Sequence, residues 1–187
     1  MGTRGFLGVV VDGVEKLAYN HWDSYPGGLG LDTLRRLRDA GPKLAEQARA
    51  LRVVDPASKP TTEEIEALRP FADTGVGTGE LDDWYVLLRG TQGDITAMLA
   101  AGVVEDAGRF PANSLFCEWG YLVDLDAQTF EIYQGFQTDP PTGRFARHGG
   151  PDNDGYYPVT LAASWPLGEL PSDEAFLDAL AEDDGDD

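Results

Sequence analysis

Gly5-Phe6-Leu7-Gly8-Val9-Val10-Val11-Asp12-Gly13-Val14-Glu15-Lys16-Leu17-Ala18-Tyr19-Asn20-His21 is the stretch that decides the architecture. Gly5 to Val11 is almost continuously apolar, as expected of a strand covered on both faces. Asp12-Gly13 suits a tight type I′ hairpin, because glycine adopts a positive φ without steric cost. The return strand should run from about Glu15 to His21. It meets Trp22-Asp23-Ser24-Tyr25-Pro26-Gly27-Gly28-Leu29-Gly30, a turn dense in residues that stop strands.

Beyond this hairpin the apolar period becomes helical. Leu31, Leu34 and Leu37 share one face, with Asp32/Arg36 and Arg35/Asp39 spaced as i,i+4 pairs and Gly41 as a stop. Pro42 suits the first turn of a second helix carrying Leu44, Ala48 and Leu51. Thr61-Thr62-Glu63-Glu64 forms a capping box ahead of Ile65 and Leu68. Leu81, Trp84, Tyr85 and Leu88 follow helical spacing, as do Ile95, Met98 and Leu99 after Asp94, with Gly102 closing the last of these.

The period then changes to two. Leu115, Cys117, Trp119, Tyr121 and Val123 alternate with Phe116, Glu118, Gly120 and Leu122, and a turn at 124–128 leads back through Thr129-Phe130-Glu131-Ile132-Tyr133. A Pro/Gly-rich loop at about 138–155 precedes an expected strand Tyr156–Ala162, and Ser172 can cap a final helix bearing Phe176, Leu177 and Leu180. Two hairpins flanking a helical insert, then a strand and a helix, predict one α+β domain over residues 1–181. Its sheet should be antiparallel. Residues 182–187, almost pure acid, should form a disordered tail.

The chain has 187 residues, with 33 acidic against 14 basic and a formal charge of −19. That charge argues against nucleic acid, whose binding rests on Lys and Arg neutralising phosphates. A single cysteine, Cys117, excludes a disulfide framework and any two-cysteine metal knuckle. No apolar run approaches the ~20 residues of a membrane span, and the opening lacks the order of a signal peptide, so a soluble, cytoplasmic protein is expected. The charge is uneven. Residues 1–52 hold eight basic and six acidic residues, and 53–187 hold six basic and twenty-seven acidic.

The densest chemistry therefore lies in the near-neutral part. Tyr19-Asn20-His21-Trp22-Asp23-Ser24-Tyr25 combines hydrogen-bonding groups with one imidazole that titrates near neutrality, at a strand end entering a loop. The hairpin should bring Arg4 opposite His21. Two readings stay open. In one, Arg4 holds an anionic group, His21 works as acid or base, Asp23 orients it, and Asn20, Trp22, Ser24, Tyr25 and Glu118 complete a pocket for a small ligand. In the other, the aromatics pack a corner while Asp23 and Ser24 bond turn amides.

Met1-Gly2-Thr3-Arg4-Gly5, the Tyr19–Pro26 segment with Gly28 and Gly30, and Cys117-Glu118-Trp119-Gly120-Tyr121-Leu122-Val123-Asp124-Leu125-Asp126 with Phe130 and Tyr133 carry a resemblance. Together they resemble a family of uncharacterised proteins from bacteria, phages and fungi that begin in the same way. The likeness covers both hairpins and leaves the helical insert largely unmatched. It implies kinship and supplies no reaction, cofactor or metal, but it raises the site reading to equal standing with the turn reading.

Other constellations are weaker. Cys117 with His21 has the residue types of a thiol nucleophile and base, but a cysteine on an apolar strand face is ordinarily a small buried hydrophobe. Removal of Met1 would expose Gly2 and leave Thr3 one place inside, so an N-terminal nucleophile is not expected. Gly75–Glu80 lacks the Lys-Ser/Thr ending of a phosphate loop, and Asp152-Asn153-Asp154-Gly155 lacks the bidentate glutamate of a calcium loop. His21 and His148 have no metal-ligand spacing, and no metal is assigned. The six bases among residues 31–52 read as a solvated helix face, with self-association as the other use. The expected function is a small-ligand or hydrolase-like site at the Arg4/His21/Asp23 end of the first hairpin. The alternative is an acidic interaction protein, immunity-like or a nucleic-acid mimic, that binds a basic protein.

Overall fold

The computed structural model describes residues 2–181, so the expected tail at 182–187 lies outside the described residues. Strands β1 (Gly5–Val11) and β2 (Val14–Asn20) pair antiparallel from Gly5↔Asn20 to Val11↔Val14. Asp12 and Gly13 both take positive φ, at 52° and 74°, as a primed turn requires. All seven residues of β1 are buried.

The sheet is not antiparallel throughout. β5 (Trp119–Asp124) lies on the far side of β1 and runs parallel to it, from Gly5↔Trp119 to Val10↔Asp124. The physical reason is the path of the chain. β2 brings it back to the end where β1 starts, and the helical insert leaves and re-enters the sheet at that end, so β5 sets off in the direction of β1. β6 (Thr129–Gln134) pairs antiparallel with β5, and β7 (Thr160–Pro166) antiparallel with β6, giving the order β2-β1-β5-β6-β7. The two hairpin turns touch, since the Asp126 carboxylate accepts the backbone N–H groups of Asp12 and Gly13 at 2.9 and 2.7 Å.

Two strand expectations shift. β5 starts at Trp119 because Phe116 and Cys117 turn back onto the carbonyl of Asn113. Cys117 consequently packs with Phe6, Leu122 and Phe145 on the opposite face from Trp119, Tyr121 and Val123. The last strand begins at Thr160, since Tyr157 and Val159 spend their N–H groups on Gln137 and Pro111 in the flanking loops.

Helices α1 (Leu31–Asp39) and α2 (Lys43–Ala50) follow the first hairpin. A two-stranded parallel sheet joins β3 (Arg52–Val54) to β4 (Val103–Glu105). Between these strands lie α3 (Thr62–Leu68), the short α4 (Trp84–Leu87) and α5 (Ile95–Ala101), and α6 (Asp173–Leu180) ends the described chain. The capping box at Thr61 and Glu64 is present in both directions. Asp83 accepts from Tyr85 N–H, which starts α4 late and leaves Leu81 outside it.

One face of the main sheet carries Leu7, Val9, Tyr121, Val123, Phe130 and Ile132 against Leu34, Met98 and Phe176 of the helices. The other is covered by loops that deliver Phe145, Val159 and Cys117 onto Phe6, Leu17 and Tyr133. A smaller cluster around Trp84, Leu87 and Leu68 fills the insert, completing one mixed α/β domain.

Charged side chains fasten these layers. On α1, the expected i,i+4 partners are replaced by distant ones. Arg35 and Arg38 reach Asp173 in the first turn of α6 at 2.7 and 2.6 Å, and Arg36 reaches Asp94, the N-cap of α5, at 2.8 Å. The basic face thus serves the acidic starts of two other helices, where a carboxylate also suits the helix dipole. Lys16, almost fully buried, donates its Nζ to the carbonyls of Ala48, Arg49 and Leu51 at 2.8, 3.0 and 2.6 Å, closing the end of α2. Arg144 bonds Glu131 and Asp124 and lies 3.3 Å from Glu15, while Tyr133 donates to Glu131 at 2.7 Å.

Candidate functional site

The loop after β2 is shaped by residues that point inward. Asn20, 4% exposed, donates its Nδ2 to the carbonyl of Trp22 and to Ser24 Oγ, the latter at 2.8 Å. Ser24 is fully buried; its N–H bonds Thr3 at 3.1 Å and its carbonyl accepts from Tyr121 Oη at 2.9 Å. Leu29 N–H closes onto Asp23 O at 2.8 Å, and a side chain at Gly28 would come within 2.4 Å of that same oxygen. With Asn20, Ser24 and Leu29 held inside, the residues between them are pushed outward. Trp22 and Tyr25 are 52% and 45% exposed, and Asp23 is exposed with φ at 53°. Left-handed backbone is costly for most side chains but tolerated by aspartate.

Trp22, Asp23 and Tyr25 form one wall of an open cleft of about 610 Å³. Asp32 of α1 lines it too, and Asp73, Arg89 and Gln92 come from the insert. That volume lies within the usual range for small-molecule sites, about 300–1,000 Å³. Arg89 donates to Gln92 Oε1 and stands 5.7 Å from the ring centre of Tyr85.

His21 sits beside this cleft, half-buried, with Nδ1 2.8 Å from Tyr19 Oη and its ring edge-on to Trp22 at 4.5 Å. Burial lowers its pKa below the ordinary imidazole value, and the charges of Arg89 and Arg4 lower it further. Burial raises that of the Tyr19 phenol, so the phenol keeps its proton. The protonated phenol can donate to Nδ1 or accept from an Nδ1–H, so this contact couples the Tyr19 hydroxyl to the tautomer of the ring. The group that orients His21 is therefore Tyr19. Among the described residues Asp23 makes no hydrogen bond to the ring.

Arg4 and Glu118 meet through the backbone. Arg4 N–H donates to Glu118 Oε1 at 3.1 Å, Glu118 N–H donates to Arg4 O at 2.9 Å, and the Arg4 guanidinium lies over the Phe116 ring at 4.7 Å. The structure thus groups Arg4 with Glu118, His21 with Tyr19 and Trp22, and Asn20 with Ser24. Asp23, Trp22, Tyr25 and Asn20 line the cleft. Cys117 is fully buried, and burial, followed by the charge of Glu118, pushes its thiol pKa well up. Asp152 accepts from the N–H groups of Asp154 and Tyr156, as a turn residue does. Among the described residues no group of three or more His, Cys, Asp or Glu side chains is placed to hold a metal ion, and no helix is long and apolar enough to cross a membrane.

Sequence reasoning missed the far wall. Nothing in motif or periodicity marked Arg89, Gln92 or Asp73, which reach the cleft only because the insert folds back over β2. The available signal was compositional: Arg89 is one of only six bases after residue 52. Compared with protein-family models, curated proteins and solved structures, the chain matches none.

Proposed function

We propose that the protein binds a small molecule in the cleft between the Trp22–Tyr25 loop and the Arg89–Gly93 segment. The observation that carries this reading is the exposure of Trp22, Asp23 and Tyr25 into a volume shared with Arg89, on a loop whose remaining side chains are pinned inward. A packed corner would have buried the two rings, each of which removes about 150–250 Å² from water when enclosed. The resemblance of the opening and the loop motif to a family of uncharacterised proteins supports a site there.

Binding is favoured over covalent hydrolysis. A covalent route with His21 as base needs an accessible nucleophilic side chain, and the Ser24 hydroxyl and Cys117 thiol are both fully buried. Neutral His21 instead offers a hydrogen-bonding imidazole at the cleft's margin, while Arg4 braces Glu118 and Phe116 behind it.

Thermal denaturation of the full chain against a panel of small polar compounds tests this. A cleft ligand should raise the melting temperature of the natural protein and lose that effect in Trp22→Ala and Asp23→Ala. Equal stabilisation of all three proteins would place the ligand elsewhere.

A further inference from the structure

Asp23 and Arg89 line the same cleft with opposite charges, yet among the described residues neither forms an ion pair, with each other or with anything else. Most arginines of this molecule find a carboxylate; among the described residues Arg4 and Arg109 are the others without one, and neither lines this cleft. Arg36 meets Asp94 at 2.8 Å, Arg38 meets Asp173 at 2.6 Å, and Arg144 engages three acids at once. In a chain with 33 acidic residues, a cation held apart from every carboxylate while sharing a cleft with three of them marks a position open to a ligand. Arg89 is also held in place. It is half-buried, bonded to Gln92 and set against Tyr85, so its fork is preorganised rather than swinging in solvent.

Both charges have fitting surroundings. Beside Asp23 stand the exposed rings of Trp22 and Tyr25, whose faces attract a cation that a nearby carboxylate also holds. Across the cleft the Arg89 guanidinium presents the geometry that binds a carboxylate through two parallel hydrogen bonds. We propose that the cleft takes a small zwitterion of the amino-acid class, its ammonium at Asp23 and the two rings and its carboxylate on Arg89. This rests on the reading of the cleft as a small-molecule site and adds the ligand's chemistry to it.

Asp32 and Asp73 carry the inference one step further. The lining then holds three carboxylates against one guanidinium, and of the three only Asp32 has an arginine beside it, Arg35 at 3.9 Å. A ligand with an additional positive charge gains from that excess, and one with an additional negative charge loses. Lysine and arginine should therefore be preferred over glycine, and glycine over glutamate.

Titration calorimetry on the full chain separates the possibilities, with L-lysine, L-arginine, glycine and L-glutamate as zwitterions. Butylamine and butyrate serve as single-charge controls, and glucose and glycerol as neutral ones. Lysine or arginine should bind, with glutamate weaker by about tenfold or more, one close charge contact being worth about that factor. Asp23→Asn and Arg89→Gln should each weaken lysine binding by a similar factor. Asp23 is exposed, and Arg89, though half-buried, has no ion pair to lose and is replaced by a polar side chain, so both variants should keep the natural circular dichroism and stay folded at the assay temperature. Butylamine binding as tightly as lysine, with Arg89→Gln without effect on either, would leave a cation site and overturn the zwitterion. Glucose or glycerol binding in a manner sensitive to Asp23→Asn would likewise overturn it, while the cleft reading stood. Absence of binding by every compound would overturn both.

Discussion

The Tyr19 hydroxyl lies 2.8 Å from Nδ1 of His21, a contact between two residues of the same hairpin end that couples a phenol to the imidazole beside the cleft. Burial and the charges of Arg89 and Arg4 hold that imidazole below its ordinary value of 6.5, so its protonation opposes the folded state. The contribution to stability is intact above about 6.5, and it declines as pH falls from there through the lower folded value. His148 is shifted in the same direction by burial and Arg147. Urea denaturation between neutral pH and about 5 should show stability falling, with a shallower slope in His21→Gln and shallower still with His148→Gln added. Proton NMR titration should place His21 below 6.5, with Arg89→Gln moving it upward.

Asn20 should matter for stability more than any exposed residue of the loop. Replacing it with alanine strands the Trp22 carbonyl and the buried Ser24 hydroxyl, at a cost of about 1–3 kcal/mol. Chemical denaturation of Asn20→Ala checks the value, and a change within experimental error would mean the loop is held by other contacts.

Asp23 should behave in the opposite way. Its backbone is left-handed and its side chain exposed, so Asp23→Gly should leave stability unchanged or raise it by up to about 1 kcal/mol. Asp23→Val, β-branched at a positive φ, should lower stability by about 1–2 kcal/mol. Melting curves of the pair distinguish backbone strain from side-chain effects.

Arg144 is the charged residue whose loss should cost most. Asp124, 5% exposed, is pushed upward in pKa by burial but held below the ordinary carboxylate value by the Ala127 N–H and by Arg144. Arg144→Met leaves Asp124, Glu131 and Glu15 repelling one another on a largely covered face. Removing one partner of a buried ion pair costs about 3–5 kcal/mol, and the partial exposure of Arg144 places the expectation near 3 kcal/mol. Equilibrium denaturation at neutral pH gives the number, and a loss under 1 kcal/mol would class the network with ordinary surface pairs.

Much of the fold was legible where local chemistry decides it. Asp12-Gly13 makes its turn, Thr61 and Glu64 cap α3 reciprocally, Ser172 caps α6, and Gly102 ends α5 at a φ of 68°. Alternation also placed the second hairpin. It could not name the neighbour of β1, because an apolar strand buried on both faces suits a parallel partner and an antiparallel one equally. The candidate site divided along the same line. The loop residues from Asn20 to Tyr25 were visible as a polar and aromatic cluster, yet their division into inward and outward sets depends on Tyr121 and Thr3, which are distant in sequence. Arg89 and Asp73 were invisible, since only the path of the insert brings them to the cleft.

The most direct test of the ligand site is amide-resolved NMR of the full chain, titrated with L-lysine, L-arginine and a set of small polar fragments. Saturable shifts should concentrate at residues 20–29, 73 and 89–93 and be lost in Asp23→Asn. Shifts gathered instead along the groove beside Lys43 and Gln47, or no saturable shift from any compound, would contradict it.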